Sequence, residues 1–290
     1  MVAPTANEIS ILESFLDRHP RLVVLTGAGV SLAAGIPTYR NREGTWIRSE
    51  PILHQRYVAE PLVRRRYWAR SFLGWPTIAA AKPGSAHLAL AELEWLGHVS
   101  LLITQNVDRL HQRAGSRNVL DLHGRLDRVV CLSCKRFFPR KWVQDWLGSA
   151  NPQLHGLNAG PAPDGDADLP DEHLADMRIP DCRNCGGTLM PDVVFFGGTV
   201  PPARVAECRA AVAEADALMA IGTSLQVFSG YRFCRQAAEL GKPVVILNPG
   251  HTRADDLATV KLATDCEPLL SELVARYRSV GRGNAGRGRR

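Results

Sequence analysis

Long apolar runs are missing from this 290-residue chain. The longest, ALMAIG at 217–222 and PVVIL at 243–247, fall far short of the roughly 20 residues a membrane helix needs. The first residues show no basic segment followed by an apolar core, so no secretory signal is expected. Residues 7–19 (NEISILESFLDRH) read instead as a short amphipathic helix. Two catalytic signatures are absent as well. No G-x-S-x-G elbow and no G-x-x-x-x-G-K-[ST] loop occurs, which counts against a serine hydrolase and a nucleoside triphosphatase. A disulfide framework is not expected either. Seven cysteines, an odd number without a signal segment, point to reduced thiols and a cytoplasmic setting.

Net positive charge is small outside one place. The formal net charge is +6, but Arg282, Arg287, Arg289 and Arg290 lie in the last ten residues, GRGNAGRGRR. Residues 278–290 therefore read as a disordered, solvated basic tail, and no nucleic-acid role is expected of the body. The arginines of RRRYWARSFLGW (64–75) read as a solvated helical face within a helical stretch, 41–82.

Four short apolar runs are present: 21–27 (RLVVLTG), 99–106 (VSLLITQN), 217–224 (ALMAIGTS) and 243–248 (PVVILN). Each ends in Gly, Asn, Ser or Thr. Helical patterns at 201–215 and 231–241 lie between some of them. The alternation predicts an α/β fold, a doubly wound parallel sheet covered on both faces. In such sheets ligands bind beyond the carboxyl ends of the strands, where those polar residues stand. Residues 154–170 (LHGLNAGPAPDGDADLP) read as an irregular, mobile loop.

The first run opens VVLTGAGVSLAAGIPTYR (23–40). Gly27 and Gly29 match the first two glycines of a dinucleotide fingerprint, but Leu32 stands where a hydride-transfer enzyme needs the third. Two C-x-x-C knuckles follow, Cys131/Cys134 and Cys182/Cys185, with 47 residues between them (135–181). Each knuckle can aim two thiolates at one point, so the pair predicts a closed four-sulfur site for one structural zinc per chain. A redox dithiol is the bland alternative. Cys208 and Cys234 are expected in the core.

Gln105, Asn106 and Asp108 follow the second run. They could recognise a carboxamide or ribose hydroxyls, or Asp108 could simply cap the next helix. His123, between an apolar pair and a glycine in LDLHGR (120–125), is either a general base facing a cleft or a structural histidine.

Together these stretches resemble the sirtuin family of NAD-dependent protein deacylases. The likeness runs in order through GAGVSLAAGIPTYR (27–40), TQNVDRLHQRAG (104–115), LHG (122–124), both knuckles, PDVVFFGG (191–198), GTSLQV (222–227) and LNPG (247–250). RRRYWARSFLGW, SGYRF (229–233) and DDLA (255–258) are similar to class II, in the mitochondrial branch associated with lipoyl- and branched-acyl-lysine removal and ADP-ribosylation. Richness in Arg, Ala, Gly and Pro suggests a bacterial-type homologue.

The resemblance implies a Rossmann-like large domain from 1–40, 83–125 and 191–277. It implies a small domain from a helical part, 41–82, and a zinc part, 126–190. NAD would then be a consumed co-substrate, not a hydride carrier. The implied dinucleotide site takes in Gly27, Ala28, Gly29, Ser31, Pro37, Tyr39 and Arg40, then Gln105, Asn106, Val107 and Asp108. Gly222, Thr223, Ser224, Asn248, Pro249, Gly250 and Cys266 complete it on the adenosine side. The acyl-lysine carbonyl oxygen would attack the ribose anomeric carbon and nicotinamide would leave, and His123 would then act as general base on a ribose hydroxyl. An acyl-lysine protein or peptide would add as a strand along Val193, Val194, Phe195, Phe196 and Gly197. No membrane partner is implied, and a monomer is expected.

Three departures stand out. The family usually has Asp where Thr38 stands and Glu where Gly198 stands. A Tyr-x-x-Arg pair that reads dicarboxylic acyl groups is not evident after Gly44, so poor desuccinylation and a preference for neutral acyl chains are expected. Two other functions compete: protein ADP-ribosyltransfer from the same pocket, and a zinc-ribbon interaction module on a catalytically dead α/β domain.

Overall fold

A computed structural model describes residues 3–39, 51–157 and 176–285, with side chains to 279. Five consecutive residues of β1 (Leu22–Thr26) are buried, because helices cover both faces of the sheet it belongs to. Leu22 and Val24 face one apolar cluster, Val23 and Leu25 the other. Each fully buried Val or Leu contributes about 1.5–3 kcal/mol by leaving water. β1 pairs in parallel with β2 (Val99–Thr104) on one side and β7 (Ala217–Ile221) on the other. With β3 (Val119–Asp121), β8 (Val244–Leu247) and β9 (Val260–Leu262), the order is β3-β2-β1-β7-β8-β9. The chain thus winds outward from β1 in both directions, and the order reverses between β1 and β7. That is the switch point at which such sheets open a crevice.

One face is covered by α1 (Ala6–Arg18), α4 (Ser85–Trp95) and α9 (Cys266–Ala285). The start of α1 is fixed by Thr5, whose hydroxyl accepts from the Glu8 N–H while the Glu8 carboxylate accepts from the Thr5 N–H. α7 (Pro202–Glu214) and α8 (Phe228–Glu239) cover the other face. α8 starts three residues earlier than its apolar pattern suggested, since Gly230 interrupts that pattern. α9 runs to Ala285, past residue 278 where a disordered tail was expected to begin.

A second sheet is antiparallel, in the order β5-β4-β6. Its strands are β4 (Gly124–Cys131), β5 (Phe137–Pro139) and β6 (Leu189–Val193). It shares one core with α6 (Arg140–Ala150) and α3 (Pro61–Ala80): Trp68 and Phe72 of α3 pack among Val129, Phe138, Val143 and Leu147. The Tyr57 hydroxyl, on α2 (His54–Ala59), donates to the Leu189 carbonyl at 2.8 Å and ties the helical part to the sheet. Cys208 and Cys234 are fully buried, as their helical stripes require. Most of the loop read at 154–170, and residues 41–50 of the expected helical stretch, lie outside the described residues. No described helix is long and apolar enough to cross a membrane.

Candidate active site and metal centre

A cavity of about 1130 Å³ opens at the switch point. Its floor is made by two turns that touch backbone to backbone. The Gly29 N–H donates to the Gly222 carbonyl at 2.8 Å, and the Gly27 N–H to the Ile221 carbonyl at 3.1 Å. A Cβ on Gly29 would lie 2.8 Å from Gly222 Cα, and one on Gly27 would lie 2.6 Å from Thr223 Cβ. Gly222 also holds φ +58°, which favours glycine. The third fingerprint glycine is dispensable for a visible reason. Residues Ala28–Ala34 form a 3₁₀ stretch and not a long helix crossing β1, so Leu32 is exposed on the cavity wall.

Among the expected dinucleotide residues, Gly27, Ala28, Gly29, Tyr39, Gln105, Asn106 and Val107 line this cavity. Gly222, Thr223, Ser224, Asn248, Pro249, Gly250 and Cys266 line it too. Three others do not: Ser31, Pro37 and Asp108. The Ser31 hydroxyl turns inward and donates to the Asp108 carboxylate at 2.7 Å, and it accepts from the Asn106 amide at 3.1 Å. Asp108 also accepts the Leu110 N–H at 2.9 Å, so it satisfies the first N–H of α5 (Leu110–Arg113) while anchoring Ser31. The Asn106 amide donates as well to the Gly27 carbonyl at 3.0 Å. A buried polar layer thus fixes the first glycine turn from behind. Arg40 lies outside the described residues.

This layer continues through two histidines. His87 Nδ1 accepts the Gly84 N–H, so its Nε2 carries the proton and faces Ser31 at 3.4 Å. The His111 ring is 4.7 Å from that of His87, and its Nε2 lies 2.9 Å from the Thr26 hydroxyl. Burial pushes the His111 pKa well below the usual range, with His87 adding to the effect, and burial also lowers that of His87.

His123 stands in the two-residue link between β3 and β4 and faces the cavity. Its Nδ1 lies 3.0 Å from the Gln105 carbonyl, which can only accept, so Nδ1 holds the proton. Nε2 is then a lone pair, and it accepts from the Ser229 hydroxyl at 2.7 Å. Burial brings the His123 pKa down to about 4, with Arg204 and Arg232 adding to the fall, so the ring is neutral at pH 7. Ser229, the second residue of α8, was not among the residues singled out from the sequence, because the helix pattern read there begins only at 231.

Val193, Val194, Phe195, Phe196 and Gly197 line the cavity as well. The Val194 N–H donates to the His123 carbonyl at 2.8 Å. The Phe196 carbonyl accepts from the His54 N–H at 2.9 Å and that of Gly197 from the Gln55 amide at 2.8 Å. A strand added along this segment therefore cannot use the edge that α2 already covers. Phe195 stacks on Tyr57 with ring centroids 5.0 Å apart, and Tyr67 meets it edge-on at 5.3 Å.

One expectation is corrected. Tyr67 and Arg70, three apart on α3, both line the cavity. A Tyr-x-x-Arg pair therefore does reach the site, and Arg70 is not part of a purely solvated face. One helical turn carries both side chains to the same wall, which a search confined to the residues just after Gly44 misses.

The two knuckles meet on the other sheet. The sulfurs of Cys131, Cys134, Cys182 and Cys185 all lie within 4.8 Å of one another. Cys131 and Cys185 are 3.6 Å apart, and Cys134 and Cys182 are 3.7 Å apart. A tetrahedral zinc with bonds near 2.3 Å needs sulfur–sulfur edges of about 3.8 Å, so the four residues fit that ion. The Arg136 N–H lowers the Cys134 pKa, while the neighbouring sulfurs push that of Cys185 up, as expected of thiols crowded together without a cation.

The comparisons agree with this geometry. A family model described as the Sir2 family matches residues 27–229. The chain is 50% identical over 272 residues to NAD-dependent protein deacetylase 2 of Bradyrhizobium diazoefficiens, covering 94% of this chain and 99% of that one. It is also 50% identical over 269 residues to an NAD-dependent protein deacetylase of Bordetella bronchiseptica, covering 93% and 98%. Among solved structures, a Sir2 homologue–NAD complex is similar with a TM-score of 0.72 and 32% identity, over 93% of this chain and 94% of that one. A Sir2–p53 peptide–NAD⁺ complex gives 0.71 and 28%, over 94% and 98%. The fold and crevice define an α/β dinucleotide-binding protein with a four-cysteine metal module. This chain belongs to the Sir2 family, the sirtuins.

Proposed function

We propose that this protein is an NAD-dependent protein lysine deacylase that transfers the acyl group to ADP-ribose and releases nicotinamide. The observation that carries the reading is the orientation of His123: Nδ1–H locked on the Gln105 carbonyl, Nε2 aimed into the crevice as a neutral lone pair. NAD supplies the electrophilic ribose carbon and the leaving group. The chain supplies the rest. The Gly27, Gly29 and Gly222 turns bring backbone close enough for a pyrophosphate, and no side chain intrudes. Asn106, braced by Ser31 and the Gly27 carbonyl, presents a fixed amide edge to a carboxamide. His123 Nε2 takes a hydroxyl proton, and Ser229 must give up its hydrogen bond as the ribose hydroxyl arrives.

The residues toward the peptide favour deacylation over ADP-ribosyltransfer. Phe195, Phe196, Tyr67 and Arg70 wall an acyl-lysine tunnel beside His123. Arg70 in that wall removes the basis for expecting neutral chains only, and acidic acyl chains join the candidates. The class II assignment rests on RYWAR and SGYRF. Those stretches provide Tyr67 and Arg70, and Ser229 and Arg232, all at the cavity. Zinc at the four cysteines is structural in this reading, because a closed sulfur set leaves no position for water. A cytoplasmic monomer acting on acyl-lysine proteins completes the proposal.

The test is nicotinamide release with acetyl-, succinyl- and long-acyl-lysine peptides. Release should depend on the peptide, yield O-acyl-ADP-ribose, and drop about 10²–10⁴-fold in His123→Ala. Label moving from NAD onto protein without acyl-lysine would overturn the reading in favour of ADP-ribosyltransfer.

A further inference from the structure

On the face of the sheet that α7 and α8 cover, Arg232 lines the cavity and shares the Phe228 ring with Arg253. Arg204 and Arg209 are on α7, Arg232 on α8, and Arg253 lies beyond β8. None makes an ion pair among the described residues, whereas Arg235 of the same patch pairs with Glu239 at 3.2 Å. The guanidinium of Arg232 lies 5.0 Å from the Phe228 ring centroid, that of Arg235 5.5 Å and that of Arg253 5.9 Å. Arg253 also sits 4.4 Å over Tyr231 and donates to the Gln226 carbonyl at 3.3 Å. Arg209 is close enough to Arg232 to depress its pKa, and Arg204 and Arg232 both act on His123. Arg232 Nε is buried with no hydrogen-bond partner.

The setting argues against a merely solvated face. Gln226, Val227 and Phe228 are exposed and line the cavity opposite 193–197, and Phe228 is 42% exposed. The first eight residues of α7 and of α8 hold four arginines and one carboxylate, that of Glu207. Cations near a helix N-terminus oppose the helix dipole, and like charges on one patch repel. Stability alone does not favour this arrangement. A ligand carrying negative charge would offset it.

We infer that the arginine–aromatic rim of Arg232, Arg253 and Phe228 selects acyl-lysines set in acidic sequence, binding Asp or Glu side chains that flank the modified lysine. This rests on the deacylase reading and names its peptide class. The dinucleotide phosphates are the other anions nearby. Their turns, Gly27–Gly29 and Gly222, are separate residues of the same cavity.

The experiment uses the zinc-loaded full chain and three acetyl-lysine peptides differing only in four flanking positions, filled with Glu, Gln or Lys. Turnover is measured at saturating NAD, and binding by fluorescence anisotropy. The acidic peptide should exceed the Gln peptide about five- to tenfold in kcat/KM, mainly through KM, and the Lys peptide should be weakest. The gap should close as ionic strength rises from about 0.05 to about 0.5 M. Arg253→Gln and Arg253→Glu should both shrink the acidic-to-neutral ratio, the second more, while the KM for NAD holds. Equal binding and turnover of the three peptides would overturn the inference and leave deacylation standing. A rise in the KM for NAD in these variants, with the peptide ratio unmoved, would also overturn it and assign the rim to the dinucleotide. Absence of turnover on every peptide would defeat the deacylase reading, and the anisotropy ranking would still decide the rim.

Discussion

At the crevice, the Gly27–Gly29 and Gly222 turns meet backbone to backbone, and buried amides and hydroxyls hold them in place. At the metal centre, the β4–β6 ladder brings the 131–134 and 182–185 knuckles side by side, and four sulfurs meet where they converge. The crevice is organised before any ligand arrives. Its cohesion comes from buried hydrogen bonds beside a sheet whose central strands β1, β7 and β8 are wholly buried. The metal centre collects thiol groups that repel one another once ionised, and only a cation turns them into a cross-link. The difference also predicts different responses to acid. His123, His87 and His111 are held neutral by burial, so the crevice side has stability above the ordinary histidine pKa of 6.5 that is lost as pH falls below it.

The largest break in this comparison comes from removing the ion. Zinc–thiolate binding in small modules is worth about 10–16 kcal/mol at pH 7, far above the few kcal/mol a three-stranded sheet can supply. A strong chelator is therefore expected to unfold the 124–193 module while the parallel sheet keeps its core. Limited proteolysis and tryptophan fluorescence check this. Trp68 lies in the core of the module, and Trp142 and Trp146 are packed against that core. If chelation melts both sheets together at one midpoint, the two regions are a single cooperative unit and the contrast fails.

A smaller effect should come from the other side. Gly29→Ala places a methyl 2.8 Å from the Gly222 Cα and carbonyl oxygen, both backbone atoms that cannot rotate away. The two turns must part, at a cost of about 1–3 kcal/mol. NAD should then no longer raise the melting temperature, while the zinc content stays at one per chain. Retained NAD stabilisation in this variant would show that the turns yield and that the crevice is less rigid than its contacts imply.

The comparison extends to what the chain displays before it folds. The knuckles are legible because metal ligation demands a fixed residue type at a fixed spacing. The Gly27/Gly29 turn and the four apolar runs are legible because buried parallel strands leave continuous Val/Leu/Ile text. β3, β9 and the whole antiparallel sheet were not foreseen, since three-residue strands and half-exposed ones such as β4 leave no distinct run. His123 stood out, but Ser229 did not: its role depends on the start of α8 passing the β3–β4 link, a tertiary meeting of residues 106 positions apart. Tyr67 and Arg70 were visible only as part of a basic aromatic stretch, because nothing local says which face of α3 turns to the cavity. Ser31 and Asp108 brace the first glycine turn from behind, and for Asp108 a role at the start of the next helix was one of the two readings that the sequence left open. A polar residue at a strand end has the same composition in either role.

The smallest effect separates the two knuckles themselves. Each places the residue after its second cysteine in the left-handed region: Lys135 at φ +60° and Gly186 at φ +69°. Each closes the same way, with Lys135 N–H donating to the Cys131 carbonyl at 3.0 Å and Gly186 N–H to that of Cys182 at 2.8 Å. A side chain in this conformation costs about 1–2 kcal/mol. At Lys135 part of that is offset by the Nζ hydrogen bond to the Leu132 carbonyl at 2.6 Å. Lys135→Gly removes the strain but adds freedom to the unfolded chain, about 0.5–1 kcal/mol, so its melting temperature should move by no more than about 2 °C. Gly186→Ala meets no atom within 4 Å, so backbone strain alone acts, and a loss of about 2–5 °C is expected. Both values are read on the zinc-loaded protein by calorimetry. If Lys135→Gly moved the midpoint as far as Gly186→Ala, the two knuckles would not share one backbone solution, and the symmetry on which the four-sulfur site rests would be only apparent.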